Sequence, residues 1–183
     1  MQSPPPRVPE PSAPNRPDTA SARAEVEARL TPELASVVSG ARRRAHRDGD
    51  RQVDTAHLLH SLLETDPEVR AAFGGGPQLA RVLGYLVQRS IGYGLRWQGT
   101  VEDSGAVPVV RERPVTGWSP PAVTAMAGAL ERAERRGEPL AGGLDLLAAL
   151  AADRECRAVD VLERAGVDAR SLAGRLSGTS RSV

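Results

Sequence analysis

The chain is 183 residues long, with 24 basic and 23 acidic side chains, 40% apolar residues and a single cysteine. That length supports one domain, or two small ones, able to bury a core without covalent staples. The near-zero net charge argues against a protein built on nucleic-acid or anionic-membrane affinity, and the lone Cys156 excludes a disulfide framework and a thiolate metal cage.

Every basic residue is Arg; the chain contains no Lys. A phosphate-binding P-loop therefore lacks its Lys and a Schiff-base enzyme its amine. With abundant Ala, Gly, Pro and Val, the bias reads as the composition of a high-GC genome.

Residues 1–22, with seven prolines before residue 18 and no apolar periodicity, read as a disordered Pro-rich leader. This stretch has neither the apolar run of a secretory signal nor the amphipathic helix of a transit peptide. Nowhere does an apolar run approach the ~18–20 residues needed to cross a bilayer, so a cytoplasmic protein is expected. Helical signals begin at Leu30. Thr31, Pro32 and Glu33 read as N-cap, first helical residue and first-turn carboxylate. Leu34, Val37, Val38, Ala41 and Ala45 then form one stripe down to Arg47, with Asp48-Gly49 as the stop. A second helix opens with Asp54 or Thr55 as cap and turns Ala56, Leu58, Leu59, Leu62 and Leu63 inward. A short third follows Asp66-Pro67 through Phe73. Gly74-Gly75-Gly76-Pro77 then punctuates the chain before a fourth, carrying Leu79, Val82, Leu83, Leu86 and Val87. From Gly92 to Gly117 the periodicity fails. Gly, Pro and short β-branched stretches (Thr100-Val101, Val107 to Val110) predict a linker with room for a small hairpin, longer than a compact bundle needs and therefore mobile or functional.

The chain also repeats itself. An offset of 88 residues aligns Thr31–Leu63 with Ser119–Ala151 without a gap, and 10 of the 33 pairs are identical. Ser119-Pro120 repeats Thr31-Pro32, Gly128-Ala129 repeats Gly40-Ala41, Arg132-Ala133 repeats Arg44-Ala45, and Leu146-Leu147 repeats Leu58-Leu59. A four-helix unit with narrow Ala/Leu/Val stripes leaves one flank uncovered, which a second copy on a pseudo-two-fold axis can cover. The expected fold is all-α: two pseudo-two-fold-related four-helix repeats, about eight helices, in one globular domain. The boundaries are a body over 23–178, with repeat one at 30–90, the linker at 91–117 and repeat two at 118–178, and a tail over 179–183.

An apolar residue, Thr/Ser-Pro, a long helix ending in Gly and a Thr-x-His-Leu-Leu segment, occurring twice, resembles the N-terminal double repeat of the Clp AAA+ unfoldases, especially the ClpC branch. The residues are Leu30-Thr31-Pro32 with Thr55-Ala56-His57-Leu58-Leu59, and Trp118-Ser119-Pro120 with Gly143-Leu144-Asp145-Leu146-Leu147. The resemblance implies a Clp N-domain without catalysis of its own, receiving substrates and adaptors. No Walker A sequence follows it, so a free-standing domain is expected.

The resemblance also implies two binding surfaces. One is a phosphoarginine site, with phosphate at the helix-one N-terminus near Thr31 or Ser119 and the guanidinium on a Glu of the second motif. Here Ala56 and Leu144 stand where the glutamates belong. A guanidinium placed there would lose a charge-assisted partner, at a cost of roughly 1–3 kcal/mol per site, so loss of phosphoarginine recognition is expected. The other is an apolar patch between the helix-one N-termini, built by position around Trp118 with Val38 and Val123, and flanked by Leu30, Thr31 and Ser119. Trp118 reads either as an aromatic anchor for a partner or as a staple residue packed ahead of its cap, like Leu30.

Other clusters carry less. His57 and His60 lie three apart and His46 ends a helix, but no Cys or carboxylate stands beside them at ligand spacing, so no metal and no cofactor is expected. Cys156 lacks a catalytic His or Asn signature and no Gly-x-Ser-x-Gly turn occurs, so the protein is read as no enzyme. Arg42, Arg43, Arg44 and Arg47 spread over a solvated helix face. The reading is a non-catalytic adaptor or regulator in the Clp protease system, with Clp unfoldase, adaptor or client proteins as partners. The alternatives are a decoy that sequesters hydrophobic cyclic peptide antibiotics and, from another class, a small DNA-binding regulator using the Arg42–Arg47 face.

Overall fold

The computed structural model describes residues 24–90, 102 and 117–178. The expected leader and tail, and the expected linker apart from Glu102 and Gly117, lie outside the described residues, as does the hairpin within that linker. Among the described residues, eight helices follow a helical turn at 24–27.

Helix α1 (Pro32–Arg47) begins where Thr31 is extended (ψ 156°) and its Oγ1 accepts the Leu34 N–H at 3.2 Å. That bond answers one of the donors a helix N-terminus leaves unpaired. Its copy is helix α5 (Pro120–Arg135), where Ser119 has ψ 152° and accepts the Ala122 N–H at 3.2 Å. Both helices close on a left-handed glycine, Gly49 at φ 72° and Gly137 at φ 75°, a conformation a Cβ would penalise. Each is followed by a shorter buried helix, α2 (Thr55–Thr65) and α6 (Gly143–Ala152). Then come α3 (Pro67–Ala71) and α4 (Gly76–Ser90) in the first half, and α7 (Arg157–Arg164) and α8 (Ala169–Gly178) in the second. The third helix is shorter than its sequence suggests: it ends at Ala71, and Phe73 is delivered to the core from the turn beyond.

The halves pack around α2 and α6. These two helices touch each other, α2 also touches α7, and α6 also touches α3, so each central helix is covered by the short third helix of the other repeat. Leu58, Leu59 and Leu62 from α2 and Leu146, Leu147 and Leu150 from α6 are fully buried. At about 1.5–3 kcal/mol for each side chain of that size removed from water, this shared layer is what holds the halves together. Their narrow stripes require it, because neither half covers its own flank.

Two parallel backbone pairings that the helical periodicity does not announce fasten the halves. Strands β1 (Gln52–Val53) and β2 (Gly117–Trp118) pair with Val53 opposite Trp118, and Leu30 bridges to Ala141. The 88-residue offset carries Leu30 onto Trp118 and Val53 onto Ala141, so the two pairings are one arrangement seen twice. The Ser119 N–H donates to the Val53 carbonyl at 2.9 Å, as the Thr31 N–H donates to the Ala141 carbonyl at 3.0 Å.

Candidate protein-binding site

The pairings bring the N-cap of each long helix next to the N-terminus of the other half's central helix. At one of these junctions Asp54, the N-cap of α2, accepts the His57 N–H at 2.9 Å on Oδ1. Its Oδ2 takes a short hydrogen bond from Arg89 of α4 and one of 2.7 Å from Arg157 of α7. Burial by itself pushes the Asp54 carboxyl up, but His57, Arg89 and Arg157 together outweigh it and hold the group well below the usual carboxylate range. His57 completes a capping box, its Nδ1 accepting the Asp54 N–H at 3.1 Å, while Nε2 lies 3.0 Å from Asp50 Oδ2. Burial lowers the His57 pKa, and the Asp50 and Asp54 carboxylates overcome that and leave it raised.

Beside this hub lies a second buried carboxylate, that of Glu102. Its Oε2 accepts the Thr55 N–H at 2.9 Å and the Ser119 hydroxyl at 2.5 Å. Its Oε1 accepts the Arg157 N–H at 2.8 Å and, through a short bond, the Thr55 hydroxyl. The sequence offered no periodicity around Glu102 to mark it.

The expected site residues divide by exposure. Val38 and Leu30 are core residues at 1% and 5% exposure, and Ser119 is fully buried under Glu102. These three lack the surface to touch a partner directly, because they face inward where the repeats pair. Trp118 is half-buried, packed partly against the core, with the Arg42 guanidinium 5.9 Å from its ring centroid. Val123, four residues into α5 from the cap, is 54% exposed, and Thr31 is partly exposed. Trp118 and Val123 thus hold the positions of a staple pair astride Ser119, with Val123 left open to solvent. In the basic run, Arg42 also pairs with Glu27 at 2.6 Å, Arg44 pairs closely with Glu64, and Arg47 lies 3.7 Å from Asp48.

No family model matches the chain, and no curated protein matches it. Solved structures do. The N-terminal domain of the caseinolytic-protease-associated chaperone ClpD from Arabidopsis thaliana superposes with a TM-score of 0.60 at 16% identity, covering 86% of this chain and 97% of that one. The N-terminal domain of the ClpV1 ATPase from the E. coli EAEC Sci1 type VI secretion system matches with a TM-score of 0.56 at 19% identity, covering 88% and 91%. A structure from a malarial protein secretion system matches at 0.60 and 12% identity, covering 83% and 95%. The chain has the Clp N-terminal-domain fold.

Within this Clp N-domain-like fold, the positions expected to lack their glutamates are occupied by Ala56, fully buried in α2, and Leu144, half-buried and packed on the core. One expectation is corrected: carboxylates do stand beside His57. Asp50, Asp54 and His57 each place a ligand atom within 4.8 Å of the others. Asp54 already receives two guanidiniums there, and a metal ion between them would be repelled, so the cluster is an ion-pair hub. Cys156, the N-cap of α7, turns its Sγ to the Leu150 carbonyl at 3.5 Å, and burial pushes the thiol up to about 11, against nucleophilic use. No helix among the described residues is long and apolar enough to cross a membrane.

Proposed function

We propose that this protein is a non-catalytic binding module of the Clp protease system, an adaptor or regulator that docks on the unfoldase, its adaptors or its clients. The observation that carries the reading is the near-complete coverage of two solved Clp N-terminal domains by one chain. The docking surface is centred on Trp118 and Val123, with the Arg42 guanidinium beside the Trp118 ring. Trp118 offers a large apolar face already stiffened by its packing, and Val123 adds exposed apolar area one helical turn away. Rigid aromatic anchors flanked by small apolar groups supply most of the energy in protein interfaces.

The test is capture of Clp unfoldase subunits by the immobilised full chain, with Val123→Asp and Trp118→Ala as variants. Val123 is exposed, so its replacement leaves the fold intact, and capture should fall about tenfold or more, as for a hot spot worth ~1.4 kcal/mol or above. Capture by the variants equal to the wild type refutes this surface, and absence of Clp subunits from the wild-type fraction refutes the system. A titration with a Clp-directed cyclic peptide, read by Trp fluorescence, separates the adaptor from the decoy, since only the decoy requires tight peptide binding.

A further inference from the structure

The first described residues lead toward the apolar surface. In the helical turn at 24–27, Val26 packs on the core and the Glu27 carboxylate accepts a hydrogen bond from the Arg42 guanidinium at 2.6 Å. Arg42 stands well down α1, so this turn runs back along that helix rather than away from it. The same guanidinium lies 5.9 Å from the centroid of the Trp118 ring. A single side chain therefore separates the head of the described chain from the aromatic face, and residues 1–23 join the molecule at that point.

The chemistry of the two parts matches. Seven of those residues are Pro, at 4, 5, 6, 9, 11, 14 and 17. Proline holds φ near −65° and favours an extended polyproline helix that has no internal hydrogen bonds to break and little freedom to lose on docking. Aromatic-lined surfaces are what such segments bind. Trp118 is a half-buried ring stiffened by its packing, and Val123, 54% exposed, extends it by one helical turn. The other half offers no such face: Leu30, which the 88-residue offset sets opposite Trp118, is 5% exposed, and Ala35, opposite Val123, is half-buried. The open apolar surface and the entry point of the prolines thus fall on the same side. At about 3.1 Å per residue, the stretch from Pro17 to Arg23 alone spans about 20 Å, so the prolines before it have the reach to cross the ring.

We propose that residues 4–17 of this chain lie across the Trp118–Val123 surface as a polyproline strap, occupying in cis the face on which partners dock. The contact itself needs only the two side chains and the tether; its regulatory consequence rests on the reading of this face as a docking surface. A tethered segment presents an effective concentration on the order of mM. A partner binds only the fraction of molecules whose strap is off, so its apparent affinity falls in proportion, about tenfold where the strap is on nine-tenths of the time.

The experiment compares the 15N-labelled full chain with a variant of equal length in which every proline before residue 18 is replaced by Ser. The reporters are the Nε1–H of Trp118, assigned by its absence from Trp118→Phe, and the Val123 amide; the Arg135 amide, at the far end of α5, is the control. Both reporters should shift between the two proteins while Arg135 stays in place. An unlabelled peptide of residues 1–22 should then return the reporters of the variant to their wild-type positions saturably, and act on the wild type about tenfold or more weakly. Reporters alike in the two proteins, or indifferent to the peptide in the variant, overturn the proposal. They do so also if serines at Val109 and Val110 move Trp118 where the leader variant does not, since the occupant is then the linker. Reporters that change only as the wild type is concentrated place a second copy on the surface and overturn occupation in cis. Capture of Clp unfoldase subunits stands apart from these shifts. Where both readings hold, the Pro→Ser variant captures about tenfold more. Shifts without capture refute the Clp reading and leave the strap, and capture without shifts does the reverse.

Discussion

The two junctions between the repeats share a backbone and differ in side-chain chemistry. At the head of α2 the N-cap is Asp54 (φ −102°, ψ 175°), and at the head of α6 it is Gly142 (φ −108°, ψ 179°). Three residues on, His57 and Asp145 each accept the N–H of the cap residue, at 3.1 and 3.0 Å. So the carboxylate sits on the cap in one half and on the third helical residue in the other. The cations differ accordingly: Arg89 and Arg157 converge on Asp54, whereas Arg136 grips Asp145 with both arms of its guanidinium. Duplication has preserved the donors the backbone must satisfy and left open which side chain satisfies them.

The largest consequence concerns the two carboxylates. Asp54→Ala leaves the buried Arg157 and Arg89 side chains without their shared partner, and breaking a buried pair in this way costs about 3–5 kcal/mol. Asp145→Ala removes an equally buried carboxylate, but its main partner Arg136 reaches solvent and keeps Glu138 at 2.6 Å; about 1–3 kcal/mol is expected. Urea unfolding of both variants tests the order. An Asp145→Ala loss equal to or above that of Asp54→Ala breaks the distinction between the junctions.

A steric difference comes next. A Cβ added at Gly143 would meet Asp66 Oδ2 at 2.0 Å and Val69 Cγ2 at 3.1 Å, because the α3 cap abuts the α6 N-terminus. Its counterpart Thr55 carries a full side chain, since there the carboxylate arrives from Glu102. Gly143→Ala should cost about 1–3 kcal/mol through overpacking. Gly128→Ala, whose nearest contact is Ala149 Cβ at 3.3 Å, should stay within about 0.5 kcal/mol, as the helix-propensity gain offsets the squeeze. Thermal midpoints of the two variants make the comparison.

Much of this was legible in the sequence and some was not, for identifiable reasons. The caps Thr31 and Ser119, the stops at Gly49 and Gly137, and the stripes of α1 and α5 obey local rules, and the 88-residue offset exposes the duplication. The parallel pairings of Leu30 with Ala141 and Val53 with Trp118 are invisible because two-residue strands carry no alternation. Val38, Leu30 and Ser119 resemble surface residues only when position alone is considered; pairing of the halves turns them inward. Glu102 escaped because its partners lie 47, 17 and 55 residues away, and no local pattern encodes such a contact. The hub at Asp54 was half-visible: the cap is local, but Arg89 and Arg157 reach it only through packing.

The two buried histidines, His57 and His60, both lie in repeat one, so the pH response they give belongs to that half. His57 has a raised pKa, because the neighbouring carboxylates outweigh burial. Folding therefore favours its protonated form, in which Nδ1 donates to Asp54 Oδ1, 2.8 Å away, instead of accepting the Asp54 N–H; this stability is present below the ordinary value of about 6.5 and is lost as pH rises through the folded value. His60 is pushed down to about 4, by burial first and by Arg44 second. Folding favours its neutral form, a contribution present above about 6.5 and lost as pH falls toward 4. Denaturant midpoints against pH should show His57→Gln flattening the alkaline limb and His60→Gln the acid limb. Variants that leave both limbs unchanged would place the titrating groups elsewhere.

A last comparison separates the two caps themselves. Thr31 and Ser119 make the same 3.2 Å bond to their helices, and removing such a cap costs typically about 1 kcal/mol. Ser119 also donates to Glu102 from a fully buried position, and an acceptor carboxylate deprived of a buried donor loses about 1–3 kcal/mol more. Ser119→Ala should therefore exceed Thr31→Ala. In the Glu102→Ala background the excess should disappear, because the carboxylate that Ser119 serves is no longer there. A double-mutant cycle on equilibrium unfolding measures the coupling. A coupling near zero would mean that the two caps are energetically alike and that the junctions differ in appearance only.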